Sequence, residues 1–187
     1  MTQTSHLKSA QITALEAVPY GDVLSAGLGA PARLVVVHGT AIPLAADAAG
    51  STYQLCRVPS TAVIKRVMFG SQAQGAGTFD ISVYYSSSTI DGTAQANATT
   101  PPTVVPTTGA TFIADAIVCA SAFQYQDVLG YGGTAAGWTL GMINKRLWDA
   151  LALTTDPGGY LDIVAVCTDT AVTTGTGIIA MGVEYAE

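Results

Sequence analysis

The sequence is poor in charge and in the side chains that carry most enzyme chemistry. Asp, Glu, Lys and Arg together make up 11% of its 187 residues, against roughly 25% in an ordinary soluble domain. It has two histidines, and its glutamates are Glu16, Glu184 and Glu187. Apolar, β-branched and aromatic segments alternate with turns of Gly, Thr, Ser, Ala and Pro. This composition predicts a structural or binding protein, not an enzyme.

Long hydrophobic runs are also missing. A membrane-spanning helix needs about 18 or more consecutive apolar residues, and no such run is present although the mean hydropathy is +0.40. The longest apolar stretches, among them 34–37, 116–120 and 163–167, have the length of strands. The first ten residues, MTQTSHLKSA, lack the charged and then apolar layout of a secretory signal. We therefore expect no membrane partner.

Positive charge is scarce and scattered. The formal net charge is −6, whereas binding to nucleic acid through its phosphates requires clustered Lys and Arg. Arg57, Lys65 and Arg66 form one loose basic group, and Lys145 and Arg146 form a second pair. Such small groups are typical of solvated or capping positions. No nucleic-acid partner is expected.

Residues that bind metals or form disulfides do not cluster along the sequence. His6 and His38 lie far apart, and no HxH, HExxH or CxxC motif occurs. Cys56, Cys119 and Cys167 are odd in number and lie in or beside apolar segments. They are predicted to be buried free thiols, which fits assembly in a reducing cytoplasm. No cofactor is expected.

Carboxylates in turns leave a calcium site open as an alternative. Asp156 and Asp162 flank a Gly-rich turn, and Asp169 lies in the next loop. Oxygen ligands from such turns can hold Ca²⁺, but no EF-hand or nonapeptide pattern accompanies them. Motifs of nucleophilic catalysis, GxSxG and SxxK, are absent. The sequence therefore predicts no catalytic residue.

From residue 34 onward the sequence has the pattern of an all-β protein. Strict alternation of apolar and polar residues is clearest at Thr78–Tyr85, and Leu34–Thr40 opens with four aliphatic residues that favour a buried strand. Tyr160–Thr168 is apolar on both faces, as expected of a strand covered on both sides. The remaining predicted strands are Tyr53–Val58, Ala62–Gly70, Phe112–Ser121 and a last strand ending at Tyr185. These short strands predict an antiparallel, jelly-roll-like β-sandwich.

Three segments depart from the strand pattern. Residues 1–33 have no clean periodicity and are predicted to be an extended N-terminal arm, so that the sandwich spans 34–187. Within the sandwich, residues 86–109 form a long Ser/Thr/Pro-rich loop. Residues 144–153 carry the one good helix signal, with Asn144 as the candidate N-cap and Leu147, Trp148 and Leu151 at helical spacing.

The final third and two earlier segments resemble a group of known proteins. The run NKRLWDALAL at 144–153 is followed by TDPGGYLDI at 155–163, TGTG at 174–177 and VEY at 183–185. CRVPSTAVIKRV at 56–67 and GTFDISVYYS at 77–86 belong to the same likeness. These segments resemble virion proteins of tailed bacteriophages, in which a short helix carrying Leu-Trp precedes a DPGG turn and the last two strands.

The resemblance implies a capsid decoration (cement) protein, or a related head protein, with a jelly-roll body. Such proteins usually form trimers on the outside of the capsid and stiffen the lattice formed by the major capsid protein. Low charge and abundant small residues suit a protein that bridges neighbouring subunits. On this interpretation the apolar residues of the arm dock on the capsid or on a neighbouring subunit: Leu15, Val18, Tyr20, Leu24 and Leu28.

A second function class remains open on the residues alone. Tyrosine rings stack on sugars, and Tyr84, Tyr125 and Tyr131 are candidates for exposed rings. They would suit a carbohydrate- or receptor-binding module of a phage fibre or an adhesin head. The competing interpretation is that each ring packs into the sandwich with its hydroxyl at the edge.

Overall fold

The computed structural model describes residues 6–8, 33–45, 47–75, 77–86, 112–132, 137–168 and 177–187. Within these ranges the chain forms nine strands, a 3-10 turn at Leu140–Met142 and a single α-helical turn, α1, at Leu147–Ala150. In this part of the chain no helix is long and apolar enough to cross a membrane. The strands are β1 His6–Lys8, β2 Leu34–Ala41, β3 Thr52–Pro59, β4 Val63–Ser71, β5 Thr78–Tyr85, β6 Ala114–Val118, β7 Phe123–Asp127, β8 Tyr160–Cys167 and β9 Ile179–Ala186.

The strands form two sheets that pack face to face. One sheet has the order β1-β3-β8-β5-β6 and the other the order β2-β9-β4-β7. β2 pairs with β9, β3 with β8, β4 with β7 and β5 with β6, and all four pairs are antiparallel. A long hairpin rolled up on itself gives this pairing, which is that of a jelly roll. The predicted all-β sandwich is confirmed.

The inward faces of both sheets supply the core. Alternation along each strand sends every second side chain between the sheets, where the largest fully buried ones include Tyr53, Phe69 and Phe79. The Phe79 ring meets Tyr53 edge-on at a centroid distance of 5.7 Å and Phe69 at 6.3 Å. Offset and edge-on aromatic contacts of this kind add about 0.5–1.5 kcal/mol each beyond the burial of area. The three rings therefore tie both sheets together.

Two of the predicted strands match the structure closely. The alternating segment forms β5 with the predicted bounds Thr78–Tyr85, and Tyr160–Thr168 corresponds to β8 at Tyr160–Cys167. Every residue of β8 after Tyr160 is buried. The expectation that this strand is covered on both faces is confirmed.

Other expectations need correction. β2 lies at the edge of its sheet, so its outward residues Leu34 and Val36 are exposed and the strand is not buried as predicted. β7 was not predicted, because FQYQD has only two apolar residues and is largely exposed. The helix predicted over 144–153 is shorter, and its N-cap is Arg146, with no side-chain cap. Asn144 instead accepts a hydrogen bond from the Lys65 ammonium at 3.1 Å.

Most of the predicted arm and loop lies outside the described residues. Of the arm at 1–33 the structure describes 6–8 and residue 33, and of the loop at 86–109 it describes Ser86. The described part of the arm forms β1, which pairs with β3 in parallel at the edge of the larger sheet. The boundary of the arm at residue 33 stays a prediction.

Candidate functional site

The interface residues predicted from the sequence all fall in the arm. Leu15, Val18, Tyr20, Leu24 and Leu28 lie outside the described residues, so their docking role stays a prediction. The surfaces that the structure does describe are the outward faces of the two sheets, the sheet edges and the end of the sandwich beside α1. These surfaces differ sharply in burial and charge.

The centre of the outward face of the larger sheet is buried. At its centre Val164, Val166 and Tyr84 form a small apolar cluster separate from the main core. Tyr84 is only 6% exposed, so it is not the exposed aromatic ring considered from the sequence. Desolvation on burial, together with the negative charge of Asp80, raises the pKa of the Tyr84 phenol to about 12. The centre of this face therefore offers no open aromatic ring, although Tyr160 at the start of β8 is 49% exposed.

A buried ion pair crosses the same face. The Arg57 Nε donates to Asp162 Oδ1 at 2.6 Å and its Nη2 donates to Asp162 Oδ2 at 2.9 Å, with both side chains almost fully buried. The residues face each other across β3 and β8. Such a two-bond fork is the strong geometry of an Arg–carboxylate pair. Asp162, a calcium candidate on sequence, is thus bound to a guanidinium.

Asp156, the second calcium candidate, is bound within its own turn. Asp156 accepts hydrogen bonds from Ser60 Oγ at 2.6 Å and from the Gly158 N–H at 2.9 Å, and these bonds hold its pKa below the ordinary value. Asp169 lies outside the described residues. Among those that are described, no group of three His, Cys, Asp or Glu side chains is placed to hold a metal ion.

Asp80 is a second buried carboxylate on the outward face. It accepts a hydrogen bond at 2.8 Å from the backbone N–H of Ala116, a residue with φ of 53°. Desolvation raises the pKa of Asp80 above its ordinary value, and the nearby charge of Asp115 adds to the effect. The protonated form of Asp80 is therefore favoured more in the folded chain than in the unfolded chain.

We expect Asp80→Asn to stabilise the protein at pH 7.5 relative to wild type, with the advantage shrinking as the pH falls through the raised pKa of Asp80 and lost below about 4, the unfolded value. The sign follows from the raised pKa: the contribution of Asp80 to stability is fully present below its unfolded pKa and is lost as the pH rises through its folded pKa. The amide cannot ionise, and its oxygen can still accept from Ala116. Urea unfolding at pH 7.5 and pH 3.5 checks this, and an equal difference at both values would contradict it.

The three cysteines are free and buried, as predicted. The Cys56 thiol lies 3.7 Å from the Val37 carbonyl oxygen and 3.6 Å from that of Met181, both within reach of an S–H donor. Burial raises the pKa of Cys56, and it raises that of Cys119 to about 11. Thiols held protonated in this way are poor nucleophiles and poor metal ligands.

The outward face of the smaller sheet is partly exposed. The Tyr125 ring, 41% exposed, lies over Gly70 and Gly182 and approaches the His38 ring with a centroid distance of 6.4 Å. A Cβ atom at Gly70 would lie 2.8 Å from Tyr125 Cδ2, and one at Gly182 would lie 2.9 Å from His38 Nδ1. The two glycines therefore let both rings lie close to the backbone of the sheet. Tyr131 is also exposed, at 46%.

A groove of about 690 Å³ lies where this face meets α1. Lys65, Asn144, Arg146 and Glu187 line it together with small and apolar residues. The nearby Arg66 forms a long ion pair with Asp127, at 3.7 Å, in which both side chains are about half exposed. Pairs this exposed contribute little to stability. The basic group predicted from the sequence is thus divided, with Arg57 buried in the sheet and the other two residues on the surface.

The arrangement of strands has a counterpart among solved structures. A chain of the capsid of Ralstonia phage GP4 aligns with 97% of this chain and 97% of its own length, at a TM-score of 0.59 and 13% sequence identity. The two chains share a fold. A chain of the cyanophage Pam1 capsid asymmetric unit covers 90% of this chain and 99% of its own length at 18% identity, with a TM-score of 0.42, too low to carry an argument. The sequence matches no protein-family model and no curated protein.

Proposed function

We propose that this chain is a structural protein of a phage virion that binds the outside of the capsid and stabilises its lattice. The observation that carries the proposal is the jelly-roll fold, shared over 97% of both chains with a chain of the Ralstonia phage GP4 capsid. The likeness of segments 56–86 and 144–185 to tailed-phage virion proteins supports it from the sequence. The partner would be the major capsid protein, and the role has no catalytic step.

The surfaces of the sandwich fit such a role. A protein that bridges neighbours gains free energy from apolar area and backbone pairing, and many copies on one lattice turn modest contacts into lasting attachment. The partly exposed face of the smaller sheet and the apolar edge residues Leu34 and Val36 offer such contacts. On this proposal the chains form a trimer on the capsid surface, after folding in the bacterial cytoplasm, where buried free thiols stay reduced.

The arm supplies the attachment in this proposal. Its five apolar residues, Leu15, Val18, Tyr20, Leu24 and Leu28, would dock on the capsid or on a neighbouring subunit. Burying one such side chain contributes about 1.5–3 kcal/mol. Even partial burial of all five would therefore change attachment by several orders of magnitude.

We expect deletion of residues 1–30 to leave a folded sandwich that no longer binds capsids. The deletion removes β1 but keeps the eight strands β2 to β9 of the jelly roll. Co-sedimentation with capsids stripped of decoration protein measures binding, and circular dichroism reports folding. A full-length variant with the five apolar arm residues changed to Ser keeps β1 and serves as the matched test. Unimpaired binding of both variants would refute the role of the arm.

The alternative is a carbohydrate- or receptor-binding module of a fibre or adhesin head. The observation that favours it is the exposure of two tyrosine rings, Tyr125 at 41% and Tyr131 at 46%, of which Tyr125 lies close to Gly70 and Gly182. The burial of Tyr84 removes one of the three rings on which this interpretation rested. Binding to a glycan array would favour the module, and an empty array together with capsid binding would favour decoration.

A further inference from the structure

Exposed sheet edges invite pairing with another chain, and proteins usually protect them. In the larger sheet, β1 pairs with Thr52–Gln54 at the edge of β3, whose remaining residues up to Val58 are buried, and β6 is a five-residue strand interrupted by the positive φ of Ala116. In the smaller sheet, β7 is also five residues long, carries two glutamines and ends in Asp127. Its pairing with β4 is irregular between Phe69 and Ser71. These three edges are short, irregular or polar.

The fourth edge, β2, has none of these protections. It is eight residues long and reads LVVVHGTA, without a proline or a charged residue. It pairs regularly with β9 over its full length and, within the described part of the chain, with no strand on its other side. Leu34 and Val36 are 55% and 50% exposed, and Ile42 and Leu44 beyond the strand are 50% and 48% exposed. In an isolated chain such an edge is a predicted site of association.

We propose that β2 is an interface between two copies of this chain, in which the two β2 strands pair antiparallel about a two-fold axis. Pairing of this kind joins the smaller sheets of two copies into one sheet of eight strands. Each open edge is then satisfied by the same edge of its copy, as a two-fold contact requires. The inference goes beyond attachment to a capsid, because it concerns only the chain and its copy.

The absence of charge along this edge favours a second copy of the chain as the strand that pairs with it. From 34 to 46 the sequence has no Asp, Glu, Lys or Arg. A two-fold contact places a strand against its own sequence, so that a charged strand would meet like charges. This edge avoids that cost in any antiparallel register. The exposed apolar side chains of one copy meet those of the other.

The contact is small, which sets the expected strength. Stable interfaces bury about 1,200–2,000 Å² in total, and one strand pair with its outward side chains buries less. Association through β2 should therefore depend on protein concentration in solution. Because it uses no three-fold axis, the same contact can join two single chains or two trimers. Pairing of two single chains doubles the mass, and so does pairing of the three β2 edges of one trimer with those of a second trimer.

The test is Val36→Lys, with Val118→Lys as the matched control. Val118 is 62% exposed on the edge strand β6, so both changes place a lysine on an exposed strand position. At position 36 the lysine lies opposite Glu184 of the neighbouring strand β9, and this pair of opposite charges favours folding of the variant. It also places a positive charge on each β2 strand, which repels the copy. Circular dichroism and thermal unfolding confirm that both variants are folded.

Light scattering with size-exclusion chromatography, run from low to high micromolar protein, gives the result. We expect the mass of wild type and Val118→Lys to double with concentration, while Val36→Lys keeps half that mass. Amide hydrogen exchange of the segment 34–41 should slow with concentration in wild type and in Val118→Lys, but not in Val36→Lys. A wild-type mass that does not rise, or an equal rise in Val36→Lys, overturns the interface. Capsid binding by wild type and by the folded Val118→Lys variant, measured separately, tests the decoration proposal on its own.

Discussion

Asp162→Ala should destabilise the protein by about 3–5 kcal/mol, because it breaks the buried ion pair between Arg57 and Asp162 by removing one partner. Both side chains are almost completely excluded from water. The fork of hydrogen bonds at 2.6 and 2.9 Å compensates for the desolvation of the two charges only while both partners are present. A single domain is stable by about 5–15 kcal/mol in all. The substitution would therefore remove a large part of the stability.

Chemical denaturation of wild type and Asp162→Ala at pH 7 measures the loss. Asp149→Ala is the control, since its ion pair with Lys145 is long, at 3.8 Å, and both side chains are 48% exposed. It should change the free energy of unfolding by less than about 1 kcal/mol.

The double variant Arg57→Met/Asp162→Leu separates the ion pair from the space it fills. Apolar replacement of both partners of a buried pair is often neutral or stabilising. We therefore expect the double variant to recover most of the loss. A loss for Asp162→Ala no larger than for Asp149→Ala would show that the pair does not hold the sheet.

The local pattern of apolar and polar residues predicts a strand when its two faces differ in polarity. It also predicts a strand when both faces are apolar. The alternation of 78–85 fixed β5, and the apolar run after Tyr160 predicted that β8 is covered on both sides. β7 was missed because FQYQD is an exposed edge strand, held by pairing with β4 and not by its own apolar face. Strands of this kind take their conformation from the neighbouring strand, which local composition does not reveal.

Contacts between distant segments explain what the sequence could not predict about the candidate surfaces. Arg57 and Asp162 are 105 positions apart and meet only because β3 and β8 are neighbours in register. The four aliphatic residues of 34–37 suggested a buried strand, yet their strand lies at a sheet edge. Whether a strand is central or at an edge depends on the order of the strands in the sheet, which the local sequence does not contain. The open edge of β2 is therefore seen only in the structure.

Gly39 is the position at which the smallest substitution should have one of the largest effects. It lies on β2 and faces the interior of the sandwich, opposite β3. The register of β3 with β8 shifts between Gln54 and Cys56, so that Leu55 is the extra residue of a β-bulge. A Cβ atom at Gly39 would lie 1.8 Å from the Leu55 carbonyl oxygen and 2.6 Å from its carbonyl carbon. An isolated glycine within a strand often marks such a close approach of another backbone.

We expect Gly39→Ala to destabilise the protein by about 3 kcal/mol or more, at or beyond the upper end of overpacking changes. The reason is that the atoms it meets belong to the backbone of β3 and cannot rotate away, so β2 and β3 must separate. Gly141→Ala is the control, because its Cβ would meet Thr139 Oγ1 at 3.8 Å, an ordinary contact. Urea unfolding of the two variants measures the difference. If both variants unfolded at the same urea concentration, the bulge at Leu55 would not approach β2 as closely as the structure places it.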